Sequence, residues 1–536
     1  VLAKQGFVVL TYDPLGQGER RLFYDADLED SKVGSTTMEH SMVGIRALLA
    51  GESVARYFVW DAMRALDVLE SAPEVDRARI GVTGCSGGGT VTVYLSALDA
   101  RVKAASPSCY VTSWEQQIPA AGPQDAEQQF PDQMKAGIDH ADLVSLAAPL
   151  PYLICSTDQD FFPLDGARKT FESARRVWEA YGAADRIGWF HEPGGHGLYK
   201  AGRERIYAWM RRWLRGENVG ARVDEPPIET EPEEMLNCTP AGQLATSLRG
   251  ETPSSIDNRR FAAISHTRHD LRDKVLRLTR YAGAEVPLNL QSLARTEVEG
   301  CRVERLSFAV ARGLDVPALL ITPGSAASPR RAALYVNQAG QSSNGKPQPD
   351  AMELARRGYA VLALNPSGVG ELASGSRGYA DHWFGQERIS WLALMTGRPL
   401  VSLQMRDILR GIDVLEAKGF GPGSNVLGVA RGLISVALLH AAALDARLGR
   451  LILEGIFEVV IPGVLGEYDL PDLVASIAPR PVTLLNLRSP TGANLLPPDR
   501  AAEYRSAIRA YEAAGRAQAL EIRPRREDES LPQPAY

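Results

Sequence analysis

Ile80-Gly81-Val82-Thr83-Gly84-Cys85-Ser86-Gly87-Gly88-Gly89-Thr90 is an apolar run that stops at Gly84 and resumes as the helix-compatible stretch Val91–Leu98. The pattern predicts a strand, a Gly-x-Ser-x-Gly turn and a helix, the setting in which Ser86 would be an exposed nucleophile. A serine hydroxyl attacks well when it protrudes from a tight strand-to-helix bend, in a strained backbone that leaves no room for flanking Cβ atoms. Gly84 and Gly88 are expected to remove those clashes, and the first amides of the helix would face the oxyanion that forms. With 49 glycines in 536 residues the string alone says little; the strand before it and the helix after it give it meaning. The plainer alternative is a glycine-rich turn at a helix start, with Ser86 as its cap.

A chain of this length is expected to hold two or more domains, each with a substantial core. Apolar content of 45% and charged content of 23% are ordinary globular values. A net charge of −6 gives no electrostatic reason to expect nucleic acid, and no run of 18 apolar residues points to a membrane span. Five cysteines (85, 109, 155, 238 and 301) show no Cys-x-x-Cys spacing, so neither a structural zinc nor another metal is expected, and no cofactor motif is present. The chain opens Val-Leu-Ala-Lys-Gln-Gly-Phe in the middle of a helix-to-strand pattern, which reads as a truncated start.

Internal repetition organises the rest. Leu2–Leu10 with Asp13-Pro14-Leu15-Gly16-Gln17-Gly18-Glu19 matches Leu354–Leu362 with Asn365-Pro366-Ser367-Gly368-Val369-Gly370-Glu371. Asp61–Glu70 matches Asp407–Glu416, and Asp142-Leu143-Val144 with Ala148-Pro149-Leu150-Pro151 matches Asp472-Leu473-Val474 with Ala478-Pro479-Arg480-Pro481. The order and spacing predict a tandem duplication: residues 1–215 and 296–536 as two copies, joined by a linker and connecting helix over 216–295. Within each copy, strand-like runs (Val8–Tyr12, Ile80–Thr83, Tyr152–Ser156, Gly188–Phe190) alternate with amphipathic segments such as Tyr57–Glu70 and Ala167–Tyr181. That alternation predicts an α/β fold with a mostly parallel sheet flanked by helices. Copy two carries extra strand-like runs ahead of its first match, at Arg302–Ala309, Val316–Thr322 and Ala332–Val336.

Ser86 falls opposite Ala430 in Gly428-Val429-Ala430-Arg431-Gly432. The strand Tyr152–Ser156 leads into Thr157-Asp158-Gln159-Asp160, against Leu487-Arg488-Ser489-Pro490. The next strand leads into His191-Glu192-Pro193-Gly194-Gly195-His196-Gly197, against Arg523–Ser530, which holds no histidine. Hydroxyl, carboxylate and imidazole are lost together in copy two, which marks Ser86, an aspartate and His196 as a unit. In the expected mechanism Ser86 attacks a carbonyl, His196 takes its proton, and an aspartate holds the imidazole. Asp160 is favoured for that acid over Asp158, which would brace the turn. Gly87 supplies one oxyanion amide; the second would come from a loop the chain start omits, so a polypeptide beginning at Val1 is expected to be poorly active. His191, His40 and His140 are read as structural. Cys85 and Cys109 follow consecutive strands, as a disulfide bracing the turn or as two free thiols.

The Asp13–Glu19 turn, Trp60–Asp67, Gly84-Cys85-Ser86-Gly87-Gly88-Gly89 and Asp160-Phe161-Phe162-Pro163 together resemble bacterial acetyl xylan esterase-like α/β-hydrolases, relatives of dienelactone hydrolases and prolyl oligopeptidases. The resemblance covers 1–215 well and 296–530 in degenerate form. It implies two tandem α/β-hydrolase domains, the first truncated and the second without a triad. It also implies a serine carboxylesterase acting on small-molecule or polysaccharide esters without a metal, in a parent protein that is secreted or periplasmic. The alternatives are a peptidase or dienelactone-type hydrolase with the same triad, or a binding protein whose second domain is a pseudoenzyme.

Overall fold

The apolar runs of the first half pair into a parallel sheet in the computed structural model of the chain, which describes residues 1–34, 36–248, 250–261, 270–324, 331–375, 386–420, 426–456, 460–488, 495–526, 529 and 531. Contacts divide the chain into unit 1 (Val1–Leu48, Glu52–Arg259, Leu394–Gly397) and unit 2 (Leu49–Gly51, Arg260–Ala393, Arg398–Tyr536). The 216–295 segment is shared between them. Its helix Leu271–Thr279 lies within the expected 265–281 element, of which 265–269 fall outside the described residues. No described helix is long and apolar enough to cross a membrane.

In unit 1, α1 (Thr36–Leu49) and α2 (Ala55–Ser71) precede the sheet. Strands β1 (Ile80–Cys85), β2 (Val102–Ser108), β3 (Tyr152–Thr157) and β4 (Ile187–Glu192) lie in that order, all parallel. Parallel neighbours need crossovers; α3 (Gly87–Leu98) joins β1 to β2 and α4 (Leu164–Ala180) joins β3 to β4. Strand β3 is buried along its length, and its successive side chains serve opposite layers. Tyr152 and Ile154 pack with Val93, Tyr94, Ala174 and Trp178 of α3 and α4. Leu153 and Cys155 meet Ile206, Met210 and Leu214 of α5 (Lys200–Arg215). Each large apolar side chain so buried contributes about 1.5–3 kcal/mol.

Register places the strand ends together. Cys85 is level with Ser108, Ser108 with Cys155, and Thr157 with Glu192. The residues that follow β1, β2, β3 and β4 therefore emerge on one edge, where open parallel sheets bind their ligands.

Unit 2 has a nine-stranded sheet. In chain order its strands are β5 (Gln291–Val298), β6 (Cys301–Ala311), β7 (Leu314–Pro323), β8 (Arg331–Asn337), β9 (Tyr359–Leu364), β10 (Val426–Arg431), β11 (Leu448–Glu454), β12 (Val482–Leu485) and β13 (Leu520–Arg523). They are arranged β13-β12-β11-β10-β8-β9-β7-β6-β5, parallel from β13 to β9 and antiparallel beyond. The run β10-β11-β12-β13 repeats the order of β1-β2-β3-β4. The first pair of each run carries a register irregularity after its first residue, at Ile80/Gly81 and Val426/Leu427.

That shared irregularity corrects one sequence match. Ser86 N–H donates to the Ser108 carbonyl at 3.0 Å, as Gly432 N–H donates to that of Glu454 at 2.8 Å. Ser86 thus stands opposite Gly432 rather than Ala430. The glycine spacing misleads because Gly428 answers to packing: a Cβ there would come 2.8 Å from the Leu451 side chain. The hydroxyl is missing from unit 2 in either register.

The run Val8–Tyr12 differs from its expected strand. It forms no strand and pairs with nothing described, and Val8 is 51% exposed. Its counterpart β9 lies between β8 and β7, whereas no described strand stands between Val8–Tyr12 and β1.

Candidate active site

Tight packing creates the bend at Ser86. Its backbone lies at φ 58°, ψ −119°, a conformation that L residues adopt only under constraint. A Cβ on Gly84 would come 2.5 Å from the Gly88 backbone, and one on Gly89 would come 2.5 Å from the Ser108 carbonyl oxygen. Nothing lies within 4 Å of a Cβ at Gly88, so the second crowded glycine is Gly89, one residue beyond the expected one. Gly87 is the first residue of α3, and its amide precedes the helix's own ladder, which begins with Thr90 N–H to the Ser86 carbonyl at 2.9 Å.

Past β3, the Asp160 side chain is 1% exposed, and its two oxygens stand 2.9 and 3.0 Å from His196 Nδ1. The Phe162 amide donates to the same carboxylate at 3.1 Å. Asp158 does something else: it accepts the Gly194 amide at 2.9 Å, while Gln159 N–H donates to the Gly194 carbonyl. It staples the glycine loop that carries His196. Burial pulls the His196 pKa down, but the Asp160 hydrogen bond and charge pull it up by more, so it ends above the ordinary value. Phe161, 41% exposed, stacks on the imidazole at 4.3 Å. Among the described residues the Ser86 hydroxyl makes no hydrogen bond, a common state of a catalytic serine before substrate binds.

Cys85 and Cys109 are free thiols. Cys109 Sγ donates to the Gly197 carbonyl at 3.0 Å, which ties the histidine loop to the end of β2. The Cys109 thiol is hydrogen-bonded to Cys85, and this contact together with burial raises its pKa. Cys109, Asp160 and His196 bring ligand-type atoms within 4.8 Å of one another, but the imidazole nitrogen involved is already committed to Asp160.

The other histidines divide. His191 lies against Trp189. His140 is packed between Tyr110 and Trp114, and burial drives its pKa down to about 3. His40, read from sequence as structural, instead sits in a buried cluster with Asp125 and Glu127. Sequence reasoning missed it because the three are brought together only by tertiary packing.

At the same edge of unit 2, Arg431 pairs with Asp350 and Glu454, each at 3.0 Å. Arg525 reaches Glu454 at 2.6 Å and Asp350 at 3.3 Å, and Asn486 donates to Glu454. Ser489, Pro490, Glu527, Asp528 and Ser530 lie outside the described residues.

Residues 1–125 match the family model described as acetyl xylan esterase (AXE1). The chain is similar to acetyl xylan esterase-like α/β-hydrolases. Its curated relatives include carbohydrate esterases. The 4-O-methyl-glucuronoyl methylesterase 1 of Sodiomyces alcalophilus is 27% identical over 192 residues, covering 29% of this chain and 37% of that protein. The 4-O-methyl-glucuronoyl methylesterase of Phanerochaete carnosa is 27% identical over 250 residues, covering 41% of this chain and 58% of the other. The chain thus spans under two thirds of these two relatives. Among solved structures, an acetyl xylan esterase from Paenibacillus sp. R4 aligns with 50% of this chain and 92% of its own at a TM-score of 0.35 and 15% identity.

Proposed function

We propose that unit 1 is a serine esterase acting on carbohydrate esters, with Ser86 as nucleophile, His196 as base and Asp160 as the group that orients it. The observation carrying this reading is the Asp160–His196 Nδ1 hydrogen bond at the sheet edge where Ser86 stands in its strained bend. Because Asp160 occupies Nδ1, the other ring nitrogen is left to take the Ser86 proton. Ser86 Oγ then bonds to the ester carbonyl carbon, and the carbonyl oxygen becomes an oxyanion facing the Gly87 amide. Collapse expels the alcohol, which takes the proton back from His196; water repeats the sequence to release the acid and restore the serine. Similarity to acetyl xylan and glucuronoyl esterases supports an acetyl ester of a plant polysaccharide or a methyl ester of its glucuronic acid.

Unit 2 reads as a degenerate copy of the same domain. The shared strand order supports this, as do the capping boxes Asp139/Asp142 and Asp469/Asp472 at matched places. With Gly432 at the bend and an arginine–carboxylate lattice around it, unit 2 carries no hydroxyl at the position matching Ser86.

A fluorophosphonate probe tests the proposal: it should label the chain once, at Ser86, and Ser86→Ala should abolish labelling. Acetate release from acetylated xylan against methanol release from a methyl glucuronate ester then separates the two substrate classes. Failure of the wild-type chain to label, under conditions where a serine esterase control reacts, overturns it.

A further inference from the structure

His40, Asp125 and Glu127 form a cluster that the hydrolytic reading does not use. These residues are 2%, 6% and 1% exposed. His40 Nδ1 lies 2.8 Å from Asp125 Oδ2 and 3.3 Å from Glu127 Oε2. Both Glu127 oxygens are buried without a well-formed hydrogen bond; Oε2 has only the 3.3 Å ion pair with His40. A carboxylate in that state is rare in a native interior, since each lone pair removed from water needs a partner.

We infer that His40, Asp125 and Glu127 are the ligands of a divalent metal ion of the zinc class, held directly behind the serine bend. The donor set is one imidazole nitrogen and two carboxylates, which such ions accept. Two ligands on one zinc ion stand roughly 3.3–3.6 Å apart in tetrahedral geometry. The His40–Glu127 separation already has that value, and the His40–Asp125 separation would open by roughly half an ångström. A neutral imidazole with two carboxylates carries a charge of −2, which one divalent ion cancels.

The remaining ring nitrogen of His40 is held as metal-bound histidines are held. His40 Nε2 donates to the Leu15 carbonyl at 2.7 Å, and Nδ1, which faces Asp125 at 2.8 Å, would give up its proton to solvent and turn its lone pair to the ion on metal binding. The Asp13–Glu19 turn makes this contact possible. Gly16 lies at φ +76°, and a Cβ there would come 3.0 Å from the His40 ring. The site abuts the bend: Glu127 Oε1 lies 3.2 Å from where a Cβ on Gly87 would stand.

Unit 2 offers a control. Gly368, at the matching place in its own turn, faces Gln386 where Gly16 faces His40. The loop bearing Asp125 and Glu127 follows the short helix Trp114–Ala120 in the interval from Ser108 to the helix starting at His140; in unit 2 Glu454 is followed by a helix already at Leu470. Among the described residues of unit 2 no matching trio of ligands stands behind the bend that lacks the nucleophile.

The test is independent of esterase activity. The chain is expressed with zinc supplementation, dialysed against metal-free buffer, and its metal content measured by mass spectrometry. About one equivalent is expected in the wild type, with loss in both Glu127→Gln and Asp125→Asn and a fall in Tm when a chelator strips the wild type. Two variants are used so that a folding failure in one does not end the test. Content below about 0.1 equivalents with no rise in Tm on adding Zn²⁺ overturns the inference and leaves a proton-sharing ion cluster. Undiminished metal in a folded variant also overturns it, by placing the ion elsewhere.

Discussion

At the edge of the unit 1 sheet, a strained serine, a buried carboxylate and an imidazole follow β1, β3 and β4. At the same edge of unit 2, two arginines interlock with two carboxylates and an asparagine. The strands that carry the two edges agree to the level of a shared register irregularity, so at the bend itself the difference is one of side chains. In unit 1 the edge keeps a hydroxyl free of partners; in unit 2 the described arginines, Asp350, Glu454 and Asn486 satisfy one another. A site that must react leaves groups unsatisfied, and a site that only holds a fold does not.

The largest effect that can break this comparison is at the bend. Ser86→Ala should reduce ester turnover by about 10⁶-fold, as loss of the nucleophile does in a serine protease. Gly432→Ser should leave unit 2 unreactive toward a fluorophosphonate, because no imidazole stands near it among the described residues. Labelling at residue 432 would show that unit 2 retains the machinery.

Next come the two aspartates. Asp160→Asn should cost on the order of 10⁴-fold in kcat by leaving the imidazole in the wrong tautomer. Asp158→Asn, which weakens only a brace on Gly194, should cost far less. Equal losses would mean that the loop, rather than the carboxylate–imidazole pair, limits the reaction.

The raised pKa of His196 sets a pH dependence with two opposite signs. The base must be neutral, so kcat/KM should fall as pH drops through the raised value. The charged pair stabilises the fold fully below the ordinary histidine pKa of 6.5, and that contribution is lost as pH rises through the folded value. Asp160→Asn should move the acid limb of the rate profile to lower pH. An unmoved limb would assign it to another group.

What was legible in the sequence was local. The bend at Ser86, the strands around it and the pairing of Asp160 with His196 rest on neighbours in the chain and on strand order, both readable from periodicity. Three features were not. Gly428 looked like a bend glycine but exists to admit Leu451, and this shifted the match by two residues. Gly88 looked crowded where Gly89 is. His40 meets carboxylates 85 and 87 positions away through a loop with no periodic signature, so nothing near it in the chain announced them.

The smallest predicted effect probes the likeness itself. Arg101 binds Asp67 at 2.6 Å, Glu70 at 3.1 Å and Asp99 at 2.6 Å. Arg447 binds Asp413 at 2.9 Å, Glu416 at 2.8 Å and Asp445 at 2.7 Å, each at the position matching its counterpart in unit 1. Neither guanidinium takes part in the proposed chemistry, so a common scaffold rather than a common reaction explains them. Both are partly solvated, so each pair is worth about 0.2–1 kcal/mol, and removing all three leaves carboxylates facing one another. Arg101→Met and Arg447→Met should each lower stability by about 1–2 kcal/mol in chemical denaturation, with the loss shrinking in high salt. Similar penalties would mean that unit 2 has kept its architecture while losing its reactive edge. A penalty confined to Arg101 would mean that the second network is an accident of geometry, and the case for a common origin would then rest on strand order, the matched capping boxes and the shared register irregularity.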